Sequence, residues 1–224
     1  MSELEERVAA VRESISRAAV RAGRDPLGIT TIAVTKFHPA ALVSQLYEAG
    51  IRDVGENRQQ EAEAKAAELV GLDDLTWHFV GQLQSKKARR VARFAGVIHS
   101  VDRDSVIDAL AGADRPVSCF VQVALSDDDH RGGAPIADVE RLAERIVASD
   151  GLSLAGVMAV APLGAEPRPA FARLRSVSDR IRAIDPLATA ISAGMSDDFE
   201  DAILEGATHL RIGTAITGKR PATP

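Results

Sequence analysis

Eight short, β-rich apolar runs alternate with segments patterned as helices, and this alternation limits what the chain can fold into more than any other feature. The runs lie near residues 29–35, 51–55, 76–81, 96–101, 116–124, 153–160, 189–193 and 208–213. Helical spacing of apolar residues fills the intervals 39–49, 57–70, 84–94, 103–111, 136–149, 168–184 and 197–206. Ahead of them, Ser2 and Glu5 form a capping-box pattern, Leu4, Val8, Val11, Ile15 and Ala18 share one helical face, and Gly23 marks the stop. Prolines 39, 135 and 169 are placed to open helices. Runs such as "TIAV" and "CFVQVAL" are apolar on both faces, as a parallel sheet covered on both sides requires.

Eight βα units close most simply into a (β/α)₈ barrel with an extra N-terminal helix. The expectation is an α/β single domain over residues 1–220, with a loose tail at 221–224. A doubly wound open sheet would show a glycine-rich first βα turn, and "VTKFHPA" has none. In a barrel, chemistry gathers where strands end, and phosphate is commonly held by the loops after strands seven and eight.

Composition narrows the class. With 46% hydrophobic residues among 224, the chain can bury a sizeable core. The net charge of −5, with one basic cluster at 86–90, speaks against a nucleic-acid partner. No apolar run nears the roughly 18 residues of a membrane span, and the acidic start "MSELEERVAA" is unlike a signal peptide. The single Cys119 excludes an internal disulfide and suits a small buried hydrophobe. A cytoplasmic, monomeric protein is the resulting expectation.

Strand one, "TIAVTKFHP", ends by presenting the amine of Lys36. Strands two and three bring Glu56, Asn57, His78 and Gly81 to the same end, and strand six brings Met158. Glu56 could tune Lys36 or simply start a helix. After strand seven, "SAGMSDD" combines Ser192, Ala193 and Gly194 with Ser196 as helix cap and Asp197 and Asp198 in the first turn. After strand eight, Gly213 and Thr214 open a short final helix. Two such turns side by side make a phosphate cup. Arg211, in the apolar strand "THLRIG", faces either the barrel interior or a helix outside. An amine, a phosphate cup and an interior donor together suit pyridoxal 5'-phosphate (PLP), which needs all three. An arginine cannot accept the ring-nitrogen proton, so the ring beside it is a poor electron sink.

With the motifs "AVTKFHP", "VGENRQQE", "WHFVGQLQSKK", "GVMAVAP" and "SAGMSDDFEDAILEGATHLRIGTAITGKR", the chain resembles the pyridoxal phosphate homeostasis proteins from about residue 2 to 220. Their barrel is that of the fold-type III PLP enzymes. The resemblance implies a Schiff base on Lys36 and a ring contact from Asn57. It places phosphate contacts at Ser192, Gly194, Ser196, Gly213 and Thr214, sets Arg211 at the pyridine nitrogen, and makes His78 and Met158 supporting pocket residues. Arg58, Ala193, Lys86 and Thr217 depart from residues common in that family, and "LSDDDHRGG" at 125–133 departs further, leaving its role open.

The resemblance implies a protein that stores PLP and delivers it to apo-enzymes, without strong catalysis. The alternative is a racemase-like enzyme. Two-base racemisation needs a second base opposite Lys36, and the lone Tyr47 falls in the helix after strand one, with no second domain expected after the barrel. A metal hydrolase built on His38, His78, His99 and His209 lacks ligand spacing; His99 and His209 suit satisfied strand histidines.

Overall fold

A computed structural model describes residues 2–126 and 132–219. Much of the 125–133 segment and the tail from 220 onward lie outside the described residues. Eight parallel strands close into one barrel in sequence order: β1 Thr30–Val34, β2 Asp53–Glu56, β3 Thr76–Phe79, β4 Val97–Val101, β5 Val117–Gln122, β6 Leu152–Met158, β7 Ala190–Ser192 and β8 His209–Ile212. Closure is made by β8 on β1, with Arg211 aligned to Ile32.

The helices follow the expected intervals: α1 Glu3–Arg21, α2 Ala40–Glu48, α3 Gln59–Glu68, α4 Ser85–Ala92, α5 Asp104–Ala111, α6 Val139–Val147, α7 Pro167–Ile181, α8 Phe199–Leu204 and α9 Thr214–Thr217. The Ser2–Glu5 capping box starts α1, and Gly23, with φ 67, ends it. Arg24 then donates to the carbonyls of Ile203 and Ala207 at 2.9 and 2.7 Å, and Arg7 to that of Ile216 at 2.8 Å, so α1 is tied to the chain's far end. No helix among the described residues is long and apolar enough to cross a membrane.

Several boundaries differ for local reasons. Residues 136–138 form a 3₁₀ turn before α6. Pro167 takes the first position of α7, with Pro169 two places on in the same turn, while Pro39 and Pro135 stand one place earlier, as caps. Asp198, rather than Ser196, takes the N-cap place of α8, and its carboxylate turns back to the Met195 N–H at 2.6 Å.

Hydrophobic burial divides between two layers. Ala33, Val54, Phe79, Ile98 and Cys119 face the helices, packing with Val43, Leu46, Val91 and Ile107. Burial in this layer pushes the Cys119 thiol up to about 12. The interior is different. His78, His99, Phe120 and His209, from β3, β4, β5 and β8, touch one another with ring centroids 4.4–6.5 Å apart. Contacts among strands that are not neighbours can be made only through the barrel, so its middle is unusually polar.

Between β5 and β6 the register skips a residue: Cys119 aligns with Leu154, but Phe120 with Gly156. A Cβ on Gly156 would lie 1.8 Å from the Ala190 carbonyl oxygen of β7. Gly156→Ala should therefore destabilise the barrel by roughly 2–3 kcal/mol, measured as a lowered urea midpoint. Gly28→Ala, where a Cβ meets nothing within 4 Å, serves as the control.

Candidate functional site

Lys36 follows β1 in a tight turn. The Thr35 N–H donates to Gly55 O at 3.0 Å and the His38 N–H returns to Thr35 O at 3.1 Å. Between them Phe37 adopts φ 69, a left-handed conformation costly for a bulky residue, about 1–3 kcal/mol. Helix α3 holds this turn in place. Glu61 accepts the Phe37 N–H at 2.6 Å, and Arg58 lies 4.5 Å over the Phe37 ring. Lys65, only 5% exposed, donates to Thr35 O at 2.9 Å, Glu56 Oε1 at 2.7 Å and Glu61 Oε1 at 2.8 Å, which uses all three ammonium donors. Glu56 also accepts the Thr35 hydroxyl at 2.6 Å. Burial raises the Glu56 carboxyl above its ordinary value, while the Lys65 and Thr35 bonds pull it back.

Across the strand ends opens a cleft of about 420 Å³, lined by Lys36, Asn57, Ser196, Arg211, Gly213 and Thr214, with Val34, Val80, Val160 and Met195 as its apolar walls. Its size suits a small ligand. Asn57 is fixed by Gly81, where a Cβ would lie 2.3 Å from the Asn57 carbonyl oxygen. The Asn57 Oδ1 is buried and has no hydrogen-bond partner among the described residues. Arg211 is 6% exposed and donates to Ser192 Oγ at 2.6 Å and Ala159 O at 2.9 Å, so it faces the interior. These bonds use two of a guanidinium's five N–H groups. No carboxylate lies within 4.0 Å of it among the described residues. Desolvation lowers its pKa to about 10, partly offset by Asp198.

The remaining expected residues stand behind the cleft wall. Ser192 is fully buried, between Arg211 and His99 Nδ1, the latter at 2.9 Å. His78 bonds His99 Nε2 through Nδ1 and Asp53 Oδ1 through Nε2, both at 2.9 Å. Met158 is buried at the end of β6, aligned with Ser192. Gly194, with φ 92, is required by packing: a Cβ would lie 2.8 Å from that of Ala202 in α8. The histidines, remote in sequence, are clustered by the barrel; among the described residues no group of three or more His, Cys, Asp or Glu is placed to hold a metal ion. A larger cavity, about 640 Å³, lies against Trp77, Phe94 and Arg115 at the opposite strand ends and lacks these groups.

Sequence reasoning missed Lys65, Glu61 and Asp53. In "QQEAEAKAAE" Lys65 reads as a solvated helix residue, yet Gln59, Ala62 and Lys65 form the buried face of α3. A lysine three places after a small alanine on that face was the available signal. Glu56 turns away from the cleft, toward Lys65, so neither sequence reading of it foresaw its partner.

Residues 7–221 match the alanine racemase N-terminal domain family. The chain is 43% identical to the pyridoxal phosphate homeostasis protein of Pseudomonas aeruginosa, over 98% of this chain and 97% of that one. With its Mycobacterium tuberculosis counterpart it shares 40% identity, over 98% and 93%. PipY of Synechococcus elongatus, solved without PLP and with PLP bound, superposes with TM-scores of 0.87 and 0.85 at 36% identity, over 96% of this chain and 100% of that one. Alanine racemase from Corynebacterium glutamicum shares the fold, with a TM-score of 0.70 at 14% identity, over 96% of this chain and 62% of that one.

Removing Lys65 strands Glu56 as a buried carboxylate whose folded pKa climbs further above 4.5. A carboxyl raised on folding binds more protons folded than unfolded, so stability falls as pH rises through the window above 4.5. Lys65→Met should cost about 3–5 kcal/mol at neutral pH and clearly less near about pH 5. Urea midpoints across pH measure this; a loss independent of pH would show that the Glu56 charge is not what Lys65 balances.

Proposed function

The chain belongs to the pyridoxal phosphate homeostasis family, and from that premise we propose that it holds PLP in the cleft at the strand ends, covalently through Lys36. The observation that carries this reading is the convergence of Lys36, the unpartnered Asn57 Oδ1 and the buried Arg211 on one cleft beside the hydroxyls of Ser196 and Thr214. PipY, at 36% identity, has been solved with PLP bound. Bound PLP supplies an aldehyde reactive toward amines and an electron-withdrawing ring.

Each residue then has a role that follows from its chemistry. Lys36 offers the amine for the aldehyde carbon. Arg211 can only donate, so it holds the ring nitrogen as an acceptor and keeps the ring a poor electron sink. Ser196, Thr214 and the backbone at Gly213 would hold the phosphate by hydrogen bonds, and Asn57 would contact the ring.

This arrangement suits storage and delivery more than turnover. Tyr47, the chain's one tyrosine, sits on α2 as expected, with its hydroxyl bonded to Asp74 and Arg52 3.9 Å over its ring, and does not line the cleft. Besides Lys36 and Arg211, the ionisable residue lining the cleft is Asp197, which is exposed. Met195 at the rim is 41% exposed, so the cleft opens to solvent, as transfer to apo-enzymes requires.

Borohydride reduction of protein incubated with PLP, followed by peptide mass mapping, tests the reading. A pyridoxyl-phosphate adduct on Lys36, lost in Lys36→Ala, is expected; an unmodified Lys36 would overturn it. Loaded protein mixed with an apo-PLP enzyme should restore that enzyme's activity, and cofactor that never leaves would end the delivery role.

A further inference from the structure

We infer that Asp53, His78, His99 and Ser192 form a one-way hydrogen-bond chain through the barrel that positions Arg211 from behind. The four bonds run Arg211 Nη1 to Ser192 Oγ at 2.6 Å, Ser192 Oγ to His99 Nδ1 at 2.9 Å, His99 Nε2 to His78 Nδ1 at 2.9 Å, and His78 Nε2 to Asp53 Oδ1 at 2.9 Å. All five groups come from different strands, β8, β7, β4, β3 and β2.

With both imidazoles neutral, the direction of every proton follows from the Asp53 end. A guanidinium can only donate, and a carboxylate can only accept. A neutral His78 therefore carries its proton on Nε2, facing Asp53, which leaves Nδ1 bare. His99 must donate to that bare nitrogen from its own Nε2, leaving its Nδ1 to accept the Ser192 hydroxyl. Ser192 in turn accepts from Arg211. No group is left with two donors or two acceptors face to face. The opposite tautomer of His78 would set a bare nitrogen against the Asp53 carboxylate. Burial, with His78, Arg211 and His209 around it, holds His99 well below its ordinary pKa and so neutral.

Asp53 lies at the start of β2, in a separate cleft with Thr30 and Thr31 at the opposite mouth, and does not line the site. It is thus a positioning residue, acting on Arg211 only through the chain. Its charge is the anionic end of a relay whose cationic end has no carboxylate within 4.0 Å among the described residues. The dipoles of both imidazoles and the hydroxyl point the same way, so they stabilise that separated pair. Arg211 is held with its remaining N–H groups free to serve the cleft, where a direct carboxylate partner would compete for them.

The inference deepens the PLP reading, and its test separates the two. Nitrogen-15 NMR of the histidine side chains in the unloaded full chain should show His78 and His99 both protonated on Nε2. In Asp53→Asn, whose amide can also donate, that fixed pattern should be lost. A wild-type His99 protonated on Nδ1 would overturn the chain whether or not PLP binds. With PLP added, Ser192→Ala and Asp53→Asn should each weaken its binding about tenfold and shift its absorbance band, with Lys36 still trapped by borohydride; Ser192→Thr, which keeps the hydroxyl, should rescue. Unchanged affinity and absorbance in both variants would overturn the positioning role, and should either variant fail to fold, the other with the wild-type tautomers decides it. Absence of any Lys36 adduct in wild type would instead remove the PLP reading, leaving the tautomer result standing on its own.

Discussion

A guanidinium sealed inside a closed barrel has to be compensated from within, and much of this structure answers that demand. Arg211 lies on β8, which closure pairs with β1, and its side chain is buried apart from the edge it shows to the cleft. Leaving such a charge unpaired in a low-dielectric interior is expensive, while giving it a direct carboxylate would neutralise it as a donor. Ser192, the Ala159 carbonyl and the histidine chain hold it without quenching it. The interior is consequently polar, and the apolar driving force for folding moves to the layer between strands and helices.

That division of labour explains which features were legible in the sequence. Strand and helix periods are local, and the outer layer follows them, so the closed barrel, the eight helical intervals from α1 to α8 and the strand-end residues could be read directly. That Lys36, Asn57, Arg211 and Thr214 would gather at one mouth was legible because strand ends converge there in such a barrel, and the structure has them lining one cleft. Interior relations were less accessible. His78, His99 and His209 look solitary along the chain, since what joins them is the closure of the sheet. The readings of Ser192 as a phosphate contact and Gly194 as a point of ligand approach came from the loop's composition. The structure puts the first under Arg211 and gives the second a packing reason in Ala202 and Phe199. Lys65 was hidden differently: a lysine amid Glu and Ala on a helix has no local sign that three oxygens wait above it.

The two ends of the cleft are supported by separate machinery. At one end the amine of Lys36 stands on a turn clamped by α3, where Phe37 is kept in a left-handed conformation by bonds that reach Thr35 and Phe37 from Lys65 and Glu61. The clamp lies between strand ends and helix, outside the barrel. At the other end Arg211 is governed from inside. The bonds of Lys65 and Glu61 to Thr35, Phe37 and Glu56 share no residue with those of Arg211 to Ser192 and Ala159. A change in the clamp should therefore alter how the amine is presented while leaving the donor in place, and a change in the chain should do the reverse.

Such independence has a chemical consequence. Efficient turnover on PLP would require the amine, an opposing base and an electron-accepting ring to act in concert. Here the cleft carries a guanidinium that only donates, and the chain's one tyrosine is held by Asp74 outside that cleft. What the fold places together is the lysine Lys36 and the buried donor Arg211, on the wall of one cleft. The left-handed turn at Phe37 stands next to Lys36 and is held by Glu61, so the presentation of that amine depends on α3 and not on the barrel interior.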